Sequence, residues 1–465
     1  MINGHKKIWT VILFLTVDLL LLHAGYMAAF WLKFGRAVPP ENLEAYRLTW
    51  PWLTLTAAVL FYFYGLYGSY RWRWTEVFAS LLCAVFFQAV AGMAVTFFAR
   101  GFAFPRTVLL LSPLVQLLLL GVWRRAAWHL ERKFLPRTKV LVAGGKAEAA
   151  SIAAKLESLT GGAVRVAGLV LEGEDGEAAG RRKNTKDGAV GPYPVLGLIE
   201  DFDSYLLQAS PDQVFICSGV PLNAKASLVM ACLDRGVKVF LVPDLYEILL
   251  AETRLEQVDD IPVFAIDYLA IPQEAAVLKR ITDVLFSLAA LALTLPVFVL
   301  AALAVKLDSP GPVFYRQKRL TLQGKPFYIY KFRTMVVNAE INSGPVLAAE
   351  DDPRVTRVGR FLRAFRLDEL PQLINVLKGD MSVVGPRPER PYFVRELARK
   401  MPEYTYRMNV KSGITGLAQV AGRYSTSPEY KLKYDLLYTK SYSLAKDLAI
   451  LLQTVKVLLM KDRAS

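Results

Sequence analysis

The hydrophobic pattern changes character three times along the 465 residues. Four long apolar runs fill the first third, at about Ile8 to Leu32, Trp50 to Tyr70, Val77 to Phe98 and Thr107 to Trp123. Each approaches the ~20 residues that a helix needs to cross the hydrocarbon core of a bilayer. The first run is too long, and lacks the small-residue cleavage site, to be a removable signal peptide. From Thr138 the pattern switches to short β-branched runs, KVLVAGG, VRVAGLV, QVFICS, VKVFLVPD and VFAID, separated by helical stretches such as Ala147 to Ser158 and Asn223 to Arg235. That alternation predicts a parallel sheet with crossover helices. The charged, glycine-rich EGEDGEAAGRRKNTKDG between two runs reads as a solvated loop.

A fifth apolar run, Val277 to Val305, is long enough to span but carries Pro296 near its middle. A proline there removes one backbone donor and clashes with the preceding turn, so the helix is expected to kink or break. Beyond it, Leu370, Leu373, Ile374 and Leu377 recur at helical spacing, which predicts a helix beginning near Asp368 with Pro371 in its first turn. Near the end, Ser443 to Met460 places Leu444, Leu448, Leu452, Val455 and Leu459 along one helical face. This reads either as a core-facing helix or as an amphipathic helix lying on a membrane.

The expected architecture is therefore a mixed membrane protein. Residues 1–135 form a transmembrane bundle of four helices, 136–270 a Rossmann-like α/β domain, 277–305 a membrane helix that either crosses fully or, as preferred, breaks at Pro296 and is re-entrant, and 306–465 a mainly helical domain that carries the candidate catalytic residues. Basic residues set the orientation, since they gather on the cytoplasmic side. Lys6, Lys7, Arg71, Arg73, Arg124, Arg125, Arg132 and Lys133 fall on one side, against Lys33, Arg36, Arg100 and Arg106 on the other. The chain after Lys133 is thus assigned to the cytoplasm, and a re-entrant fifth run keeps the last third there too.

Composition agrees with this and narrows the chemistry. The chain is 54% hydrophobic, with a mean hydropathy of +0.31, high for a soluble protein of this length. Lysine and arginine number 56 against 41 acidic residues, a formal net charge of +15 that favours an anionic partner. The three cysteines are widely spaced and form neither a disulfide framework nor a zinc motif. All three histidines lie in the first third, so chemistry in the remainder must use carboxylates, hydroxyls, amines or a metal held by oxygen.

Two regions are candidates for that chemistry. In the middle domain the first turn reads Gly144, Gly145, Lys146, Ala147, Glu148, without the G-x-G-x-x-G spacing that admits a pyrophosphate. A regulatory or oligomerising role, as a homodimer contact, is preferred there. A membrane-bound NAD-dependent enzyme modifying nucleotide sugars is the alternative that this domain would have to support. The last third instead carries KLDSPGPVFYRQKR, YIYKFRTM, DPRVTRVGRFLR, RLDELPQLINVLKGDMSVVGPRPE and SGITGLAQVAGR. These segments bring together guanidinium groups, ammonium groups and carboxylates, a set suited to a polyphosphorylated substrate with a divalent cation. The adjacent Asp368 and Glu369 read either as the acidic start of a helix or as a catalytic pair. The basic residues cluster at membrane edges and around these carboxylates, as lipid and diphosphate binding require, and not as a nucleic-acid surface.

These motifs, in this order from about Ile281 to Leu459, resemble the bacterial sugar transferases, the monotopic polyprenol-phosphate phosphoglycosyl transferases that initiate exopolysaccharide and O-antigen assembly. Four spans and a Rossmann-like domain ahead of the catalytic part resemble the long members that transfer hexose 1-phosphate. The resemblance implies a UDP-sugar donor, undecaprenyl phosphate as acceptor, release of UMP, a magnesium requirement and a site at the cytoplasmic leaflet of the bacterial inner membrane. It implies that Asp368 attacks the β-phosphate to give a covalent phosphosugar enzyme, with Glu369 orienting magnesium or the phosphates. Asp368 and Glu369 are then also the candidate magnesium ligands. Lys331, Arg333, Arg363 and Arg387 are the candidate phosphate contacts, and Glu389 and Gln419 complete the substrate-binding candidates. Pro296 corresponds to the break in the family's re-entrant helix. The chain departs from the family pattern at Leu295, where serine is usual, at Arg366, where serine or threonine is common, and at Ser412 and Ala418, in place of proline and tryptophan.

Overall fold

The computed structural model describes residues 2–68, 73–98, 103–134, 136–173, 189–251, 253–266, 269–337, 352–422 and 426–460. The chain divides into two compact units, Met1–Asp244 and Leu245–Ser465. Tyr70 at the end of the expected second span, the basic residues Arg71 and Arg100, and most of the charged glycine-rich loop lie outside the described residues.

The first unit begins with four helices, α1 (Ile2–Phe34), α2 (Pro40–Phe63), α3 (Trp74–Phe98) and α4 (Arg106–Phe134). Of these, α1 (over Ile8–Phe34), α3 and α4 are long and apolar enough to cross a membrane, whereas α2 is not among the helices that meet that standard. Its position also corrects the sequence reading. The helix starts ten residues before Trp50, because Pro40 is suited to a first helical position, and it stops at Phe63, where Gly65 turns the chain at φ +69°. Polar side chains point inward in this bundle. Arg124 on α4 pairs with Asp18 on α1, its Nε donating to Oδ1 at 3.1 Å, and both are buried. Tyr67 donates to the same carboxylate at 2.8 Å, and Arg124 reaches the Leu66 carbonyl at 3.0 Å. Leu20, Leu114, Leu118 and Val122 are exposed on the outside.

An open, mostly parallel sheet follows. Its strands are β1 (Thr138–Gly144), β2 (Val164–Leu171), β3 (Ala189–Val190), β4 (Tyr193–Leu198), β5 (Gln213–Ile216) and β6 (Lys238–Leu241), in the order β3-β4-β2-β1-β5-β6. Only β3 runs antiparallel to its neighbour. Helices α5 (Lys146–Thr160), α6 (Phe202–Ala209) and α7 (Leu222–Asp234) connect the strands. The apolar runs form the core expected of strands covered on both faces, with Val140, Leu141, Val142, Leu169 and Val214 fully buried. The VFAID run is an exception. It forms β8 (Ile261–Ala265), which pairs antiparallel with β7 (Arg254–Val258) as a separate two-stranded sheet of the second unit. The turn at Asp259, φ +56°, folds the two runs into a hairpin instead of sending the chain through a crossover.

The second unit opens with α8 (Leu245–Leu250) and this hairpin, then the 36-residue α9 (Gln273–Asp308), the fourth helix apolar enough to span. At 1.5 Å per residue α9 follows a path of about 54 Å. It is helical through Pro296, so the expected break is not an interruption of the helix. Thr294 bonds its hydroxyl to the Ala290 carbonyl at 2.7 Å, a back-bond that bends helices, one residue before Leu295 and next to the missing proline donor. The buried positions of α9 lie toward its two ends, Lys279, Asp283 and Ser287 at one and Ala301 and Val305 at the other, with Leu288, Leu293, Leu295 and Leu300 exposed between.

The remaining elements surround those two ends. They are a hairpin of β9 (Phe314–Leu320) and β10 (Pro326–Phe332), then α10 (Arg357–Ala364), α11 (Gln372–Lys378), β11 (Ser382–Val384), α12 (Pro391–Lys400), β12 (Gly413–Thr415), α13 (Leu417–Ala421), α14 (Pro428–Lys440) and α15 (Leu444–Leu459). The parallel pair β11 and β12 sits in a core with Val376, Met381, Tyr438, Ile450 and Val457. Thus α15 is core-facing, though not through the face expected from the leucine spacing. Asp447, Ile450 and Val457 are buried while Leu448 and Leu459 stay exposed. Asp447 is drawn inward by Lys279 of α9 at 2.6 Å and by the Tyr438 hydroxyl at 2.7 Å.

Candidate active site

The carboxylate pair occupies a single 3-10 turn, Leu367–Glu369, between α10 and α11. This differs from a helix starting at Asp368. The helix α11 begins only at Gln372, with Pro371 just ahead of it, and Asp368 caps nothing. The local sequence explains the offset. Leu367 and Leu370 pack toward Phe332, Leu362, Ala301 and Val305, and this apolar anchoring turns Asp368 and Glu369 away from that core. Arg366 enters the turn in the left-handed region at φ +52°, a conformation that costs a residue with a Cβ roughly 1–2 kcal/mol.

Two further elements deliver cations to this turn. On α11 the buried Asn375 donates to the Tyr328 carbonyl at 2.8 Å and accepts from the Tyr330 amide at 2.9 Å. Its amide thereby continues the hydrogen bonding of β10, and that fixes Lys331, whose Nζ lies 2.8 Å from Glu369 Oε1. Arg387, in the Gly-Pro-Arg-Pro turn after β11, reaches the same oxygen at 2.9 Å. Glu369 therefore bridges an ammonium and a guanidinium. These two cations, with Arg366 adding its charge, hold the Glu369 carboxyl well below its ordinary range despite its burial. Asp368 is 9% exposed, and burial pushes its carboxyl above the ordinary value. Lys331 opposes that rise, Glu369 adds to it, and Arg363 and Arg387 act with Lys331.

The other sequence candidates separate into several groups. Arg363 donates from Nε to the Thr334 hydroxyl at 2.9 Å and sits close enough for its charge to act on Asp368. Arg333 is elsewhere. Its buried guanidinium donates to the carbonyls of Ser309 at 2.7 Å and Pro310 at 2.9 Å, so it closes the C-terminal end of α9 and does not face the carboxylates. Glu389 lies 3.6 Å from Arg319 beside a small cleft lined by Thr321, Arg387, Arg407 and Ser412. Gln419, on α13, has both side-chain polar atoms buried with no hydrogen-bond partner among the described residues. Ser412, at one of the departures, accepts no vacancy: its backbone amide and hydroxyl both approach the Thr321 hydroxyl, at 3.2 and 3.1 Å.

Sequence reasoning missed the residues that hold this site together. Arg407 pairs with Asp435 at 2.8 Å, contacts the Tyr404 hydroxyl, and donates to the Arg387 carbonyl at 3.0 Å, which steadies the turn that presents Arg387. Arg280 and Asp283, at the start of the fifth apolar run, are two more. The available signal was three charged side chains, Lys279, Arg280 and Asp283, within the first two turns of that run, where each must find a partner if buried. In the first unit, an acid of the chain itself stands in the helical turn that follows Gly144 and Gly145. Glu148, in the first turn of α5, accepts from the Ser218 amide at 3.3 Å and its hydroxyl at 2.8 Å, so the protein supplies its own anion there.

Residues 274–461 match the family model described as bacterial sugar transferase. A UDP-glucose:undecaprenyl-phosphate glucose-1-phosphate transferase of Caulobacter vibrioides is 47% identical over 193 residues, 40% of this chain and 71% of that protein. The chain belongs to the bacterial sugar transferase family. Longer relatives match over smaller shares. A UDP-glucose:undecaprenyl-phosphate glucose-1-phosphate transferase of Xanthomonas campestris pv. campestris is 37% identical over 276 residues, 57% of each protein. A UDP-N-acetylgalactosamine-undecaprenyl-phosphate N-acetylgalactosaminephosphotransferase of Aeromonas hydrophila is 43% identical over 187 residues, 40% of this chain and 44% of that protein. The chain thus spans about half the length of these two relatives. In this bacterial sugar transferase, Asp368, Glu369, Lys331 and Arg387 all fall inside the matched region.

Proposed function

We propose that the protein transfers a sugar 1-phosphate from a UDP-sugar to undecaprenyl phosphate, with release of UMP, as the initiating step of exopolysaccharide or O-antigen synthesis. The observation that carries this reading is the buried Asp368 beside a Glu369 clamped by Lys331 and Arg387. Glu369 draws both cations to one point, so an incoming diphosphate meets positive charge in front of a carboxylate. Asp368, its charge offset by Lys331, Arg363 and Arg387, acts as nucleophile. One carboxylate oxygen bonds to the β-phosphorus, the bond from that phosphorus to the bridging oxygen breaks, and UMP leaves with the electron pair. A phosphate oxygen of undecaprenyl phosphate then attacks the same phosphorus and expels the Asp368 carboxylate. The lipid diphosphate sugar forms and the enzyme is regenerated, so donor and acceptor need not bind together.

Magnesium fits the donor set in a limited way. Among the described residues no group of three or more histidine, cysteine or acidic side chains is arranged to hold a metal. Two adjacent carboxylates are nevertheless the usual protein share for magnesium that is otherwise bound by substrate phosphates and water. Asp368 and Glu369 would hold it, and it would neutralise charge on the diphosphate. UDP-glucose and UDP-galactose are the favoured donors, and the names of the relatives span glucose, galactose and N-acetylgalactosamine.

The membrane arrangement is read from α9. Both of its ends pack on the same catalytic unit while its apolar middle is exposed around Pro296. That supports a re-entrant helix dipping into the cytoplasmic leaflet of the inner membrane and leaving the site at the lipid surface. The parallel sheet of the first unit is read as Rossmann-like, with a regulatory or homodimeric role.

The decisive experiment is Asp368→Asn in the full-length protein. It is expected to abolish UMP release from UDP-sugars, and the trapping of labelled sugar phosphate on the protein, while membrane insertion is retained. Turnover near the wild-type rate would sink the mechanism. Screening UDP-glucose, UDP-galactose and N-acetylated donors identifies the sugar.

A further inference from the structure

The start of α9 does more than enter the membrane. Two of its side chains, three residues apart and hence on one face, each hold a different half of the active site. Arg280 donates to the carbonyls of Val376 at 2.6 Å and Leu377 at 2.9 Å, the last turn of α11. A cation at a helix C-terminus satisfies orphan carbonyls and opposes the helix dipole. That helix directly follows the Asp368–Glu369 turn. Asp283 is buried, and its Oδ1 accepts from the Val383 amide at 2.9 Å and from the Ser382 hydroxyl at 3.0 Å. Those residues form β11, which runs straight into the turn carrying Arg387. The two halves meet where Arg387 touches Glu369.

We infer that Arg280 and Asp283 are positioning residues, and that one turn of the membrane helix sets the spacing between the carboxylate pair and Arg387. This inference rests on the proposed reaction and deepens it. The transferring phosphoryl group must sit between a nucleophile and its cations, and a misplacement of about 1 Å in such a site costs on the order of 10²-fold in rate. Neither side chain touches the reacting atoms. The carboxylate of Asp283 is instead one shared acceptor for two donors of the strand, which ties the height of α9 to the position of Arg387. Lys279 completes the platform by pairing with Asp447 of α15, leaving the first turns of α9 anchored on three sides.

The test uses full-length protein in lipid nanodiscs. Asp283→Ala is expected to slow UMP release from the UDP-sugar at least tenfold, while Asp283→Asn, whose amide oxygen still accepts both hydrogen bonds, stays within about threefold of wild type. The Asp283→Ala and Arg387→Ala effects are expected to be non-additive, with the double variant about as slow as Arg387→Ala alone. Amide hydrogen exchange should quicken at Val383, Gly385 and Arg387 in Asp283→Ala, with the sheet of the first unit unchanged. A wild-type rate in Asp283→Ala, additive losses with Arg387→Ala, or unchanged exchange at Val383 would overturn the inference. If Asp283→Ala does not accumulate in membranes, Ser382→Ala carries the same test by removing one of the two donors. A several-fold loss that is non-additive with Arg387→Ala supports the inference, and a wild-type rate overturns it. Exchange needs no turnover, so a wild-type protein that releases no UMP would end the reaction proposal without deciding this one.

Discussion

Asp368 and Glu369 are neighbours in sequence and opposites in chemistry. Glu369 is kept ionised by Lys331 and Arg387, whereas Asp368 is pushed upward by burial and by the charge of Glu369 itself. In the proposed reaction Asp368 must be ionised to attack, so activity is expected to fall as pH drops through a value above the ordinary carboxylate range. Glu369→Gln removes the adjacent negative charge and frees two cations, so the acid limb of the residual activity should move to lower pH. A pH profile of UMP release by wild type and variant checks this, and an unmoved or raised limb contradicts it. At this scale the sequence was a partial guide. The adjacent acids stand out because two charges in an apolar run need an explanation, and Lys331 and Arg387 follow from the chemistry of diphosphates. Arg333 looked equivalent to Lys331, only two residues away in sequence, but it lies just past the end of β10. Its partner is the end of α9, a long-range contact that leaves no local signature.

Among the elements, packing decided what periodicity left open. The helix after the carboxylate pair starts four residues later than its apolar spacing implies, because Leu367 and Leu370 must reach the core under α9. On α15 the leucine stripe lost to a stripe containing Asp447, since a buried ion pair with Lys279 compensates for burying the acid. Two predictions belong here. Asn375→Leu leaves the Tyr330 amide and the Tyr328 carbonyl of β10 without partners, which should destabilise the catalytic unit by about 2–4 kcal/mol and loosen Lys331. Thermal unfolding and UMP release should both fall, and an unchanged melting temperature would refute it. The Arg407–Asp435 pair gives the second. Burial raises the Asp435 carboxyl to about 6, against an ordinary 3.8, with Arg407 opposing the rise. Between these values the folded chain keeps a proton that the unfolded chain has released. This group therefore contributes stability below about pH 4 that is lost as pH rises through about 6. Activity runs the other way, because only the ionised form pairs with Arg407 and steadies the Arg387 carbonyl. From pH 7 to 5 turnover should drop while the stability difference between wild type and Asp435→Asn shifts in favour of wild type. Parallel movement of the two readouts contradicts this account.

Over the whole molecule, the apolar helices α1, α3, α4 and α9 were legible, though α2 was not, because the lipid requirement is local and long-range partners do not alter it. A run of about twenty apolar residues is sufficient information. The parallel sheet was likewise legible from its buried β-branched runs, but the VFAID strand was not, since a hairpin and a crossover begin with the same local pattern. Orientation is open to direct measurement. Single cysteines in place of Glu274 and Asp308, at the two ends of α9, should both react with a membrane-impermeant thiol reagent from the cytoplasmic side only. Labelling of the two positions from opposite sides would mean that α9 crosses the bilayer fully.

The pairing of Asp18 with Arg124 also has a consequence in time. The two residues are separated by 106 positions, so a ribosome adding about 5–20 residues per second makes the acid several seconds before its base. During that interval α1 is present in the nascent chain with a carboxylate whose partner in the folded bundle has not yet been made. Closure of the bundle around this pair therefore waits for α4, and the last helix of the group to be synthesised determines when the first one is settled.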